Sequence, residues 1–451
     1  MHMEKERETA LALARAVAAR GGRAYYVGGC VRDTLLNRPV TDLDIEVHGV
    51  ESAALFSLLS QFGEPASMGA SFGIYGIKGI DLDIAMPRSE KATGRGHKDF
   101  EAFTDPFLGP EKAAMRRDFT VNALMQDILT GEILDFFGGR RDLEQGVLRH
   151  VNDLSFAEDP LRVFRAAQFA ARFGFAVAPE TVALCRGMSV DALPRERVME
   201  ELKKAFQKAP RPSVFFEVLR EMDRLDPWFP EVADLIGVPQ NPVFHPEGDV
   251  WNHTMRVLDE AALLRDGARY PEGFMFAALC HDFGKPLVTE TGADGRIHSY
   301  NHEVEGLAPA GDFLRRLTGE VRLHRYVENM VKLHMRPNSL ADSRSSVKAY
   351  MRLFDAAKEP EDLLLLSKAD HLSCHPEPHY EETESTLRAM LALYRERCAA
   401  PAVTGADLLA AGVRPGPACK DALAHARKLQ LAGIPKETAL SQTLAFLRGR
   451  Q

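Results

Sequence analysis

Asp42 and Asp44 stand two apart in T-D-L-D (Thr41 to Asp44), a short way after the glycine turn V-G-G-C-V-R-D (Val27 to Asp33). On a strand, side chains at i and i+2 lie on one face. Two carboxylates on one face repel unless a cation lies between them. That arrangement suits Mg²⁺, a hard cation that takes oxygen ligands and binds substrate phosphates. Metals held there would activate an attacking hydroxyl and stabilise a leaving pyrophosphate. Gly28 and Gly29 would let backbone amides approach a triphosphate at the following helix start. Arg32 could fork onto phosphate oxygens.

A second set of chemical groups runs through the other half. His253 stands in N-H-T, and His281, Asp282 and Lys285 in A-L-C-H-D-F-G-K. His302 follows in Y-N-H-E-V-E-G, His334 in K-L-H-M-R-P and Asp370 in S-K-A-D. Neutral imidazoles and carboxylates suit Mn, Fe, Ni, Co or Zn. His281 and Asp282 close the apolar run F-M-F-A-A-L-C, where a polar pair is costly unless it is satisfied.

The elements that must carry these groups differ between the halves. Ala10, Leu13, Ala14 and Val17 repeat at helical spacing within residues 4–20, before Gly21-Gly22. Ala24 to Val27 reads as a strand, Cys30 to Leu36 as a helix, and Leu43 to Val47 as a second strand carrying the aspartates. Ile74 to Ile77 and Leu82 to Ala85 add two more, giving a small α/β unit. From about residue 140 the periodicity turns helical, in Val163 to Phe173, Thr181 to Met188, Arg195 to Gln207 and Ser213 to Met222. Residues 238–249, V-P-Q-N-P-V-F-H-P-E-G-D, read as a linker.

The chain of 451 residues is 45% hydrophobic and 27% charged, as expected of a globular protein with several cores. No run is apolar enough for a membrane helix, and M-H-M-E-K-E-R-E-T-A leads into no signal core, so a cytoplasmic protein is expected. Cys30, Cys185, Cys280, Cys374, Cys398 and Cys419 form no CxxC pair, which argues for structural thiols over disulfides or a cysteine zinc site. A net charge of -8 argues against a general nucleic-acid binder and leaves room for local basic surface.

G-G-C-V-R-D followed by D-L-D resembles the head of the class II nucleotidyltransferases, which share the polymerase β-like fold and include CCA-adding enzymes, CC-only and A-only relatives, and bacterial poly(A) polymerases. R-R-D-F-T-V-N-A-L (Arg116 to Leu124) and E-D-P-L-R-V-F-R (Glu158 to Arg165) continue the resemblance in the same order, over about the first 230 residues. It implies that Asp42 and Asp44 are catalytic and hold Mg²⁺. It further implies that Gly28, Gly29, Arg32, Asp33, Arg116, Arg117, Asp118, Asn122, Asp159, Arg162 and Arg165 bind nucleotide. In the family the EDxxR pair, here Asp159 and Arg162, reads the incoming base; a carboxylate accepts from an exocyclic amine, and a guanidinium donates to ring nitrogen or carbonyl oxygen. The two are three apart on a predicted helix, so they share a face, with Arg165 on the same side. Residues 87–112, long and polar, occupy the position of the family's flexible loop, although the match there does not reach His97, Lys98 or Asp99 individually. Ser67 to Gly76 lacks the paired basic residues of the poly(A) polymerases, which leaves full CCA addition ahead and A-only addition second.

The histidine and aspartate series resembles the all-helical HD phosphohydrolases. His253, His281, Asp282 and Asp370 match their minimal metal pattern, and His302 and His334 match the extra positions of binuclear sites. Two metals bridged by Asp282 are then expected, lowering the pKa of water for attack on phosphorus, with Lys285 stabilising phosphate charge. The resemblance suggests 2′,3′-cyclic or 3′-phosphate ends as substrates, by analogy; an HD hydrolase whose head merely binds nucleotide is the alternative. The tail from Val403 to Pro417 onward carries Arg414, Lys420, Arg427, Lys428, Lys436, Arg448 and Arg450. Comparable tails contact the tRNA elbow, and its Gly-Pro turn could hold an RNA phosphate. The expected architecture is α+β: a nucleotidyltransferase head (1–140), a helical neck and body (141–237), an HD domain (238–395) and a basic helical tail (396–451). The expected partners are the tRNA 3′ end with its acceptor and elbow region, CTP and ATP, and no membrane. Oligomeric state is not legible in the sequence.

Overall fold

The computed structural model describes residues 2–69, 73–92, 100–374 and 379–448. The chain forms two compact units, residues 1–197 with 214–224, and residues 198–213 with 225–451. The division therefore falls inside residues 141–237.

The first unit opens on helix α1 (His2–Ala18), whose Ala10, Leu13, Ala14 and Val17 are buried as one face. The chain turns at Gly21 and Gly22; a Cβ on Gly22 would lie 2.5 Å from the His48 carbonyl, so a glycine permits the close return. Strand β1 (Arg23–Val27), helix α2 (Gly29–Leu35) and strand β2 (Leu43–His48) follow. Helix α3 (Ser52–Leu59) and strands β3 (Pro65–Gly69), β4 (Ile74–Ile77) and β5 (Ile80–Ala85) extend the sheet. Its order is β3-β4-β5-β2-β1-β8-β9, with β8 (Met125–Asp127) and β9 (Ile133–Leu134) added later in the chain. Among the described residues of this sheet, only β2 and β5 pair in parallel, which requires the intervening crossover.

Two expectations change here. The segment 87–112 is not a loop throughout. Strands β6 (Arg88–Ala92) and β7 (Phe100–Thr104) pair antiparallel, and helix α4 (Pro110–Met115) follows. Backbone pairing satisfies this polar segment whatever its side-chain pattern. His97, Lys98 and Asp99 lie outside the described residues. The strand bearing the aspartates begins at Leu43, so Asp42 precedes it and only Asp44 lies within it.

In the second unit, helix Pro271–Cys280 is buried from Gly273 to Cys280, which explains its uniformly apolar sequence. Helices Val250–Leu264, Val321–Leu333 and Pro360–Cys374 pack against it. Residues 238–249 are no spacer: Gln240 is buried, and Asp249 caps the helix that follows through the Asn252 amide. Their proline and glycine content breaks helix without freeing the chain. The tail folds as helices Gly405–Ala410, Pro417–Leu431 and Lys436–Arg448 around Val403, Leu408, Ala422, Ala426 and Ala439. Lys436 pairs with Asp407 at 2.8 Å and Arg427 pairs with Asp355, so these two cations already have protein partners. Arg450 lies outside the described residues. The six cysteines are unpaired. Among the described residues, no helix is long and apolar enough to cross a membrane.

Candidate functional site

The first site gathers around Gly28. Its φ of 68° with ψ of -129° is a backbone state that side chains rarely adopt. A Cβ there would lie 3.0 Å from Arg117 Nη1 and 3.6 Å from Asp44 Oδ2, so the turn lies beside these two groups. Gly29 opens α2. Asp44 pairs in register with Asp83 of β5, which places two carboxylates side by side on the sheet. Burial raises the Asp44 carboxyl above its ordinary value; Arg117 opposes the rise, and Asp83 and Asp42 add to it. A divalent cation relieves that crowding, and an all-oxygen donor set fits a hard metal. Asp83 was not singled out in the sequence. The D-L-D of Asp81 to Asp83, repeating the form of Asp42 to Asp44, was the available signal.

Five of the other motif residues form one hydrogen-bonded chain. Arg32 donates from Nε to Asp33 at 2.8 Å and from Nη1 to Asn122 Oδ1 at 2.6 Å. Asn122 Nδ2 donates to Asp118 Oδ1 at 3.0 Å. Arg165 donates from Nε and Nη2 to Asp118 Oδ2 at 2.8 and 2.6 Å. Burial alone would raise Asp118, but Arg165 and Asn122 outweigh it and hold its carboxyl below the usual range. Arg32 is itself buried, with its guanidinium 4.4 Å from the centroid of the Phe173 ring. The residue read as a phosphate fork is thus turned inward.

Asp159 and Arg162 are not three apart within a helix, because the helix runs from Leu161 to Phe173 and Asp159 precedes it. Pro160 at the N-cap sets that start, and Asp159 Oδ1 accepts from the Leu161 amide at 3.1 Å. Arg162 donates to the carbonyls of Ser155 at 2.5 Å and Arg116 at 2.7 Å, and Asp159 pairs with Arg197 at 2.8 Å. Arg116 lies 3.7 Å from Glu158, and Arg117 lies 3.3 Å from Glu46.

The second site is built on Asp282, which is almost fully buried. Its Oδ2 lies 3.2 Å from His281 Nε2 and 3.5 Å from His253 Nε2. Its Oδ1 lies 3.3 Å from His302 Nε2 and 3.9 Å from His334 Nε2. Asp370 closes on His253 at 3.1 Å, and Lys285 reaches Asp282 at 2.6 Å and Gln240 at 2.7 Å. All seven expected residues therefore meet in one cluster.

The histidine hydrogen bonds fix their tautomers. The Nδ1–H groups of His281, His302 and His334 donate to the carbonyls of Ala278, Ser299 and Val331 at 2.7–2.8 Å. Their Nε2 atoms then offer lone pairs inward, facing each other at 3.2 Å between His302 and His334. Burial, with His281 and His302 nearby, pushes His334 down to about 3, so this imidazole is neutral near pH 7. Burial raises Asp282, yet His281, Lys285 and His302 together hold it well below the ordinary range. Imidazole and carboxylate donors converging in one buried cluster fit a divalent transition metal, whose binding releases any protons these ligands carry.

Two glycines bring the halves of this cluster together. A Cβ on Gly284 would lie 2.0 Å from the His302 carbonyl, and one on Gly306 2.9 Å from the same oxygen. Glu247, read within a linker, is half-buried with its side chain almost fully covered; its Oε1 accepts from the Nδ1–H of His253 and of His245, each at 2.9 Å. Nothing in its sequence neighbourhood marks it except the adjacent His245.

Comparisons with known proteins match both parts of the chain. Residues 24–149 match the poly A polymerase head domain, 174–236 the "Probable RNA and SrmB- binding site of polymerase A", and 250–374 the HD domain. The chain is 38% identical over 357 residues to the multifunctional CCA protein of Actinobacillus pleuropneumoniae serotype 5b (strain L20), covering 77% of this chain and 84% of that one. It is 36% identical over 431 residues to that of Xanthomonas campestris pv. campestris (strain B100), covering 93% and 100%. In fold it resembles the Bacillus stearothermophilus CCA-adding enzyme in complex with CTP, with TM-score 0.65, 23% identity and coverage of 99% and 98%. It likewise resembles the Thermotoga maritima CCA-adding enzyme complexed with tRNA, with TM-score 0.64, 20% identity and coverage of 98% and 95%.

Proposed function

This chain belongs to the family of multifunctional CCA proteins, and on that premise we propose that it joins two reactions at the tRNA 3′ end. The first is template-independent addition of C, C and A from CTP and ATP. The second is hydrolysis of phosphorylated or 2′,3′-cyclic phosphate ends. Such ends carry no free 3′ hydroxyl for addition, so the hydrolysis prepares the substrate of the transfer. Both domain types imply dependence on a divalent metal.

The crowding of Asp44 by Asp83 and Asp42 beside the Gly28 turn carries the transferase reading. Asp42 and Asp44 would hold Mg²⁺, which supplies positive charge against the triphosphate and the leaving pyrophosphate. Gly28 and Gly29 let the triphosphate approach the backbone, and Arg117, held at the turn by Glu46, adds a cation. The chain from Asp33 through Arg32, Asn122 and Asp118 to Arg165 then orients the nucleotide site by tying α2 to helix Leu161–Phe173. Asp159 and Arg162 would select the base, with the base amine taking the acceptor that Arg197 occupies.

For the hydrolysis, the division of the Asp282 oxygens between two histidine pairs supports two metals. The ligands would be His253, His281 and Asp370 on one side and His302 and His334 on the other. Ni, Mn, Co, Fe or Zn suits these donors and supplies a nucleophile from water near neutral pH. Lys285 would meet the phosphate charge.

Asp44→Ala and Asp282→Ala test the assignment as a pair. Asp44→Ala should lower C and A addition together by at least about a hundredfold, as loss of several kcal/mol of charge stabilisation requires, and spare the hydrolysis. Asp282→Ala should do the reverse. Full transfer by Asp44→Ala would remove the carboxylate assignment.

A further inference from the structure

We infer that the mouth of the histidine–aspartate cleft is a nucleobase-stacking subsite for the unpaired terminal base of an RNA 3′ end. The inference rests on the hydrolase reading and names the part of the substrate that this site grips. The cleft has a volume of about 870 Å³, with Asp282, Asp370 and His302 in its lining beside Lys285. That is ample for a nucleotide.

The same cleft is lined by Val243, Phe244, Tyr300 and Met335. These are among the exposed large apolar side chains of the chain: 76% for Val243, 62% for Phe244, 72% for Tyr300 and 43% for Met335. Scattered exposed apolar residues need no explanation, but several lining one cleft mark an interaction site. Tyr300 is braced. It stacks on His298 with ring centroids 4.4 Å apart at 24°, which orders one face of the ring and leaves most of the side chain open to solvent. His298 belongs to the short hairpin Glu290–Thr291 with Ile297–His298, so Tyr300 is held just beyond a fixed backbone element. Phe244 comes from residues 238–249, whose Gln240 is tied to Lys285.

Metal-ligand donors and a lysine lining the same cleft as aromatic faces match the two ends of a nucleotide: phosphate at one, base at the other. An aromatic ring stacks any base, because every base has a π-face, and the contact requires a base that is not already stacked in a helix. Such a platform accepts a 3′ end whatever its last base.

The test uses the full chain loaded with Mn²⁺ and a short single-stranded oligoribonucleotide ending in a 3′-phosphate. One version carries 2-aminopurine as its last base, and a second has an abasic last sugar. Binding should quench the 2-aminopurine fluorescence. Tyr300→Ala and Phe244→Ala should relieve the quenching, and Tyr300→Phe should retain it. Wild-type kcat/KM should favour the base-bearing end over the abasic one by about tenfold. The Tyr300→Ala, Phe244→Ala double variant should bring that ratio near one through KM rather than kcat. Equal hydrolysis of both ends by the wild type, or quenching that the alanine variants leave intact, would overturn the subsite. Quenching relieved by the variants, with neither end hydrolysed, would uphold the subsite and overturn the hydrolase reading instead.

Discussion

Glu247 accepts two imidazole N–H groups on a single buried oxygen, and one of those imidazoles is an expected metal ligand. A carboxylate behind a ligating histidine fixes its tautomer and raises its basicity; its loss costs about 10–100-fold in metal affinity. Both histidines hold the Glu247 carboxyl down to about 2, against the push of burial. Glu247→Gln should therefore weaken metal binding by about 10–100-fold in a chelator competition titration, and leave nucleotide addition intact. Binding within twofold of wild type would show that Glu247 only fills space. Asp118 makes a different prediction. Its carboxyl is depressed by Arg165 and Asn122. The stability it contributes is therefore present above the unfolded carboxyl value of about 4 and is lost as pH falls through the lower folded value. Asp118→Asn should be less stable than wild type in urea at pH 7 and pH 5, and the gap should narrow below about pH 4. A gap that widens on acidification would contradict this assignment.

Elements bring these residues together through close approaches that only glycine allows. Gly284 has an ordinary φ of -83°, so a side chain there is excluded by the His302 carbonyl rather than by the backbone angle. Gly284→Ala should push His302 away from Asp282 and remove one of the two metals proposed for this site, measured as metal per chain after reconstitution. Retention of both would show that the turn yields. The order of motifs, the face of α1 and the apolar helix ahead of His281 were all legible in the sequence, because each is a local pattern of residue types. Asp83 and Glu247 were not: Asp83 gains its role from β5 pairing with β2, and Glu247 from a bend in a proline- and glycine-rich stretch that returns its carboxylate to His253. Asp42 leaves the strand for a related reason, since pairing of β1 with β2 ends at Ile45 and of β2 with β5 at Leu43. Arg32 was legible as important and misread in direction, since nothing in G-G-C-V-R-D foretells Asn122 and Phe173.

At the scale of the whole molecule, each compact unit carries its own site: carboxylates on a sheet in one, and histidines among helices in the other. Hydrolysis of a blocked end and extension of a free one are successive steps on one substrate class. The transfer is the reaction that completes the tRNA 3′ end. It is tested by incubating the chain and Mg²⁺ with three tRNAs, ending before CCA, after the first C and after CC, each with CTP, ATP or both. All three should be completed to CCA, with C added only from CTP and the final A only from ATP. Extension of the CC-ended tRNA alone, by a single A, would contradict it.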